Sequence, residues 1–85
     1  MQLIITEKFK KDFKKIPYNL RERTFEKLRI LVKNPNHPSL RVKKVKRYKN
    51  IFEASITKDY RLLFQIESDG YILLRIGKHD IIKNN

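Results

Sequence analysis

Glu53, Arg61, His79 and Asp80 carry the groups in this chain best suited to chemistry: two carboxylates, a guanidinium and an imidazole. An imidazole gives and takes protons near neutral pH, and a carboxylate accepts them or orients the imidazole. A guanidinium holds an anionic centre. The four residues are spread between positions 53 and 80, so their value depends on which elements bring them together.

The stretch from Ile51 to Asp80 supplies those elements. It is rich in β-branched and aromatic residues, alternates apolar with polar, and is broken by two polar turns; that pattern predicts three antiparallel strands in two hairpins. A loop of Thr57, Lys58 and Asp59 pairs Ala54 with Leu62 and Phe52 with Phe64. A three-residue loop of Ser68, Asp69 and a left-handed Gly70 sets Ile66 opposite Ile72, Phe64 opposite Leu74 and Leu62 opposite Ile76. Directly opposed residues share a face, so one face is apolar. The other carries Glu53, Ser55, Arg61, Gln65, Glu67, Tyr71 and Arg75, with Leu63 and Leu73 among them. Ser55 then lies beside Arg61, and Arg61 beside Gly77, from which the chain runs on to His79 and Asp80. Glu53, Arg61 and His79 converge at one end of that face.

The apolar face needs a cover. Gln2 to Thr6 reads as a short buried strand, and Thr6 as the N-cap of a helix with Phe9, Phe13 and Ile16 on its apolar side. Pro17 ends it. A second helix is expected from Asn19, with Glu22 at capping-box spacing, and Leu20, Phe25, Leu28, Leu31 and Val32 form its stripe. Asn34-Pro35-Asn36-His37-Pro38 stops it, His37 reading as a loop or capping residue. The expected fold is α+β in the order β-α-α-β-β-β, a small antiparallel sheet with a helical hairpin on one face. Residues 1–85 make one domain, with no linker or repeat.

The 85 residues include 21 Lys and Arg against 9 Asp and Glu, a net charge of +12. Such a field favours polyanionic partners. Lys43, Lys44, Lys46 and Arg47 lie in the basic tract leading into the strand that carries Glu53, where they would flank the candidate site. Together with Ser55, Arg75 and Lys78 they are candidates for phosphate contact, and Tyr48 is a candidate for stacking on bases. With no cysteine and two histidines, the sequence offers neither disulfides nor a histidine metal cage, and no cofactor is expected. No stretch has transmembrane length, and Met-Gln-Leu-Ile-Ile is too short for a signal peptide. A cytoplasmic protein with no membrane partner is expected.

Order of elements, size and charge resemble the RelE/ParE superfamily of type II toxin–antitoxin toxins, most closely its RelE-like mRNA interferases. The resemblance is carried by His37-Pro38-Ser39-Leu40-Arg41-Val42-Lys43-Lys44-Val45, by Ile51-Phe52-Glu53-Ala54-Ser55-Ile56 through Tyr60-Arg61-Leu62, and by Ile76-Gly77-Lys78-His79-Asp80-Ile81. It implies cleavage of mRNA in the ribosomal A site without a metal, the 2′-hydroxyl attacking the adjacent phosphate. Arg61 then falls on the phosphate-stabilising arginine and His79 on a catalytic Arg or His position. Glu53 becomes a base or an orienter of His79, and Asp80 a holder of its tautomer. The chain departs from some relatives in carrying Glu53 and Ser55 where they have lysines, and in a tail, Ile81-Ile82-Lys83-Asn84-Asn85, without an aromatic. The implied partners are the ribosome, mRNA and an acidic, partly helical antitoxin that covers the basic groove, with operator DNA bound only through the antitoxin complex. Two rival readings keep the fold: a ParE-like inhibitor of DNA gyrase, and a non-catalytic RNA-binding homologue.

Overall fold

A computed structural model of the chain describes residues 2–80. The alternating stretch forms the expected strands, β3 (Ile51–Ser55), β4 (Tyr60–Glu67) and β5 (Gly70–Lys78). Two further strands flank them. β1 (Gln2–Ile5) pairs in parallel with β5, and the two-residue β2 (Lys43–Lys44) pairs antiparallel with β3, giving the order β1-β5-β4-β3-β2. The sheet is therefore mixed rather than purely antiparallel. Helices α1 (Glu7–Lys15) and α2 (Tyr18–Lys33) connect β1 to the rest, followed by a 3₁₀ turn at Pro38–Leu40.

The β3–β4 hairpin has the expected register, with Ala54 opposite Leu62 and Phe52 opposite Phe64. The β4–β5 hairpin does not. Its loop is only Ser68 and Asp69, because Glu67 pairs with Gly70, and Phe64 faces Leu73 instead of Leu74. A bulge then inserts Leu74 as an extra residue, which restores Leu62 opposite Ile76. Tyr71 and Leu73 consequently belong to the core, 1% and 0% exposed, and not to the opposite face where the three-residue loop placed them. Gly70 has no positive φ; what it supplies is close approach. A Cβ there would sit 2.2 Å from the carbonyl oxygen of Gln2, so β1 reaches β5 only because the side chain is missing.

Thr6 caps α1 as expected, its Oγ1 accepting from the amide of Phe9 at 3.1 Å and donating to the carbonyl of Leu73 at 2.8 Å. α1 ends at Ile16, before Pro17. Pro17 itself is the N-cap of α2; Asn19 lies inside the helix and caps nothing. β1 is an edge strand with Ile4 and Ile5 half-exposed, not a buried one. Leu28, Leu31 and the unforeseen Thr24 face the core, and Thr24 satisfies its buried hydroxyl on the carbonyl of Leu20. Phe25, expected in the apolar stripe, is 50% exposed. His37 caps the 3₁₀ turn, its Nδ1 accepting from the amide of Ser39.

β1 covers only residues 70–73 of β5. Beyond its end the β5 edge meets α1, and Asp12 takes the place of a strand. Its Oδ2 accepts from the Ile76 amide at 3.2 Å and from Arg75 Nε at 2.6 Å, while Oδ1 accepts from Arg75 Nη2 at 3.2 Å. The hydrogen bond to Asp12 raises the Arg75 pKa, partly opposed by desolvation and aided by the carboxylate's charge.

Candidate active site

Antiparallel pairing sets Ser55 opposite Arg61 and Arg61 opposite Gly77, so the ends of β3, β4 and β5 meet. One oxygen of Glu53, Oε1, lies 3.2 Å from Arg61 Nε and 3.8 Å from His79 Nε2. The sequence reading placed these three groups together, and the structure does so. Glu53 and Arg61 are mostly shielded, their side chains 18% and 17% exposed, whereas the His79 ring is 42% exposed. Glu53 thus presents one largely shielded carboxylate oxygen to both a guanidinium and a more accessible imidazole.

Arg61 has a second attachment that the sequence did not show. Its Nη1 donates to the carbonyls of Thr57 and Lys58, the latter at 2.6 Å, in the turn preceding its own strand. Nε is turned to Glu53 and Nη1 to the turn, which leaves Nη2 without a hydrogen bond among the described residues. The turn is closed by Thr57, whose Oγ1 accepts from the amides of Asp59 and Tyr60. Asp59 serves it through its backbone, its carbonyl accepting from the His79 amide at 2.9 Å. Three strand ends are thus tied into one rigid cluster by backbone and side-chain bonds.

Sharing Glu53 with this cluster, an open groove of about 460 Å³ runs along the sheet face, lined by Leu63, Leu74, Val45, Ile51, Tyr48 and Glu53, with Lys8, Arg47 and Arg75 among its polar members. Tyr48 is 45% exposed in its wall, as a stacking residue must be. Lys43 lies opposite Glu53 and so shares its face, while Lys44 lies opposite Phe52 and does not. Lys43, Lys44, Lys46 and Arg47 are all exposed. The three other candidates for phosphate contact differ in their placement. Ser55 is 8% exposed. Arg75 lines the groove but is clamped by Asp12. Lys78, opposite Tyr60, lies in a separate cleft with Lys15 and Tyr60. Asp80 is exposed and directly follows His79. The tail residues 81–85 lie outside the described residues. Among the described residues no group of three metal-ligating side chains occurs.

Comparison with known proteins was decisive for the family. Residues 3–82 match the model for the ParE toxin of the type II toxin–antitoxin system, parDE. The chain belongs to this toxin family. Solved structures share the toxin's fold. The toxin in a RelB–RelE antitoxin–toxin complex from Methanococcus jannaschii is 23% identical over 95% of each chain, with a TM-score of 0.79. YafQ from E. coli is 15% identical over 95% of this chain and 96% of its own, with a TM-score of 0.81. A copper-bound mutant toxin from Helicobacter pylori is 26% identical over 96% and 98%, with a TM-score of 0.72. Among curated proteins no match is found. The toxin's two helices and five-stranded mixed sheet are thus those of RelE-like toxins.

Proposed function

We propose that this toxin is a ribosome-dependent mRNA endoribonuclease whose catalytic residues are His79, Arg61 and Glu53. The observation that carries the reading is the shared Glu53 oxygen, 3.2 Å from Arg61 and 3.8 Å from His79, at an open end of the sheet. In the proposed reaction the 2′-hydroxyl of the RNA attacks the adjacent phosphate. The phosphorus–5′-oxygen bond breaks, a 2′,3′-cyclic phosphate forms, and His79 delivers a proton to the departing 5′-oxygen. Arg61, its guanidinium plane held by the turn carbonyls, offers Nη2 to the phosphoryl oxygens as negative charge builds on them. Glu53 orients both groups and accepts the proton of the attacking 2′-hydroxyl. Asp80 assists His79 from the adjacent position. Lys43, Lys46 and Arg47 draw the RNA backbone across the groove, and Tyr48 stacks on a base. Relatives were crystallised with the antitoxins RelB and DinJ, which supports an antitoxin as the toxin's own partner, acidic to match a charge of +12. The function is exercised in the cytoplasm, where ribosomes are.

The family match to ParE favours a second reading, inhibition of DNA gyrase, which has no need for the Glu53–Arg61–His79 cluster. Primer extension on mRNA held in programmed ribosomes, beside a gyrase supercoiling assay, separates the two. The nuclease reading expects A-site cuts by the wild type and none by Arg61→Ala or His79→Ala. Supercoiling inhibition that survives both substitutions, with no cuts, would overturn it.

A further inference from the structure

Asp12 holds the Arg75 guanidinium by one side only. Its Oδ2 accepts from Nε at 2.6 Å and its Oδ1 from Nη2 at 3.2 Å. Among the described residues, Nη1 and the second N–H of Nη2 make no hydrogen bond. These are the two parallel donors at the end of the fork, and the paired carboxylate fixes the plane they lie in. Arg75 also lines the sheet groove. Pairing sets Glu53 opposite Leu63 and Leu63 opposite Arg75, one row across three strands on the face of the candidate site. The neighbouring row is Ser55, Arg61 and Gly77. Two residues of strand separate the rows, about 7 Å. A base joined to a phosphate held by Arg61 therefore reaches the row of Leu63 and Arg75. The groove's aliphatic lining, Leu63, Leu74, Val45 and Ile51, stays partly exposed at all four positions.

We propose that Arg75, held by Asp12, reads a guanine base of the RNA lodged in the sheet groove, and so makes the toxin guanine-selective. The inference rests on the nuclease reading for its substrate, a single RNA strand laid across this face. Guanine presents two acceptors, O6 and N7, that match the end of a guanidinium fork. Adenine and cytosine would set an amino group against a side chain that has only donors, and uracil offers one acceptor. A phosphate suits the position less well. The Asp12 carboxylate, 2.6 Å from Nε, already balances the guanidinium's charge, whereas a neutral base edge asks for directed donors and not for net charge. The aliphatic lining suits the apolar faces of a base for the same reason. Asp12 acts here as a positioning residue, since it touches the base only through Arg75.

The test is fluorescence anisotropy of the full chain with labelled 2′-O-methyl oligouridylates, which cannot be cleaved, each carrying one central guanine, adenine, inosine or 7-deazaguanine. The guanine probe should bind about tenfold more tightly than the adenine probe, as for a bidentate contact. Inosine keeps O6 and N7 and should match guanine; 7-deazaguanine lacks N7 and should lose most of the gain. Arg75→Lys keeps the charge but not the fork, and should bring guanine down to adenine. Lys43→Ala, a backbone contact, should weaken every probe alike and leave the ratios unchanged. If Arg75→Lys fails to fold by circular dichroism, the base analogues decide on the wild type alone. Equal binding of guanine and adenine, or full affinity for 7-deazaguanine, would overturn the proposal. So would base ratios that Arg75→Lys leaves unmoved, which would make the Asp12–Arg75 pair structural only. Failure of the nuclease reading looks different: programmed ribosomes would show no cuts, and the base ratios would still decide the role of Arg75.

Discussion

Replacing Asp12 by alanine removes three hydrogen bonds at once, two from Arg75 and one from the Ile76 amide. The loss leaves a guanidinium facing no counter-charge and a strand-edge N–H without its acceptor. Charge-assisted bonds contribute about 1.5–3 kcal/mol each when fully buried, and an orphaned buried group costs about 1–3 kcal/mol. The two side chains here are 15% and 13% exposed, so water compensates part of the loss. The expected cost is about 2–3 kcal/mol, or a fall in Tm of roughly 10–20 °C for a domain this small. Asp12→Asn keeps an acceptor for Ile76 and should lose about half as much. Arg75 adds a pH condition. Its pKa is raised in the folded state by Asp12, so its contribution is complete below the ordinary arginine value and is lost only as pH rises through the folded one. Between pH 7 and 10 the difference between wild type and Asp12→Ala should therefore stay constant in urea titrations followed by circular dichroism. A cost under about 0.5 kcal/mol would refute the claim that Asp12 completes the β5 edge.

Gly70→Ala should cost about 2 kcal/mol, because the new Cβ meets the Gln2 carbonyl at 2.2 Å; hydrogen exchange should accelerate at residues 2–5 before the rest of the sheet, and uniform exchange would contradict this. Thr6→Ala removes the α1 cap and the bond to Leu73 together, and should lower stability by about 1–2 kcal/mol in chemical denaturation. Glu53→Gln should raise affinity for RNA a few-fold, by removing a carboxylate that competes with phosphate for Arg61 and His79, while slowing cleavage at least about tenfold. Unchanged affinity in filter binding would show that the RNA phosphate does not approach this pair.

The first hairpin was legible because Phe52, Ala54, Leu62 and Phe64 alternate cleanly, and a slip of one residue would expose all four. The second hairpin misled because Leu73 and Leu74 are adjacent and equally apolar. Either can face the core, and the bulge that inserts Leu74 as an extra residue makes the choice. Convergence at the site survived that error, since the bulge lies between the turn and the site, and restores the register before Arg61 reaches Gly77. Helical spacing alone puts Phe25 in the apolar stripe, because spacing counts apolar residues and does not show which of them a neighbouring element covers. Arg61's bonds to the Thr57 and Lys58 carbonyls lie in side-chain geometry within a turn, and no residue pattern announces them.

The most direct test of the catalytic account is end-group analysis of mRNA cut in programmed ribosomes, with the A-site nucleotide either ribo or 2′-deoxy at the cut. The account predicts a 2′,3′-cyclic phosphate from the ribo substrate and no cleavage of the 2′-deoxy one, with His79→Ala losing the ribo reaction. Cleavage of the 2′-deoxy substrate, or products ending in a 3′-hydroxyl, would contradict it.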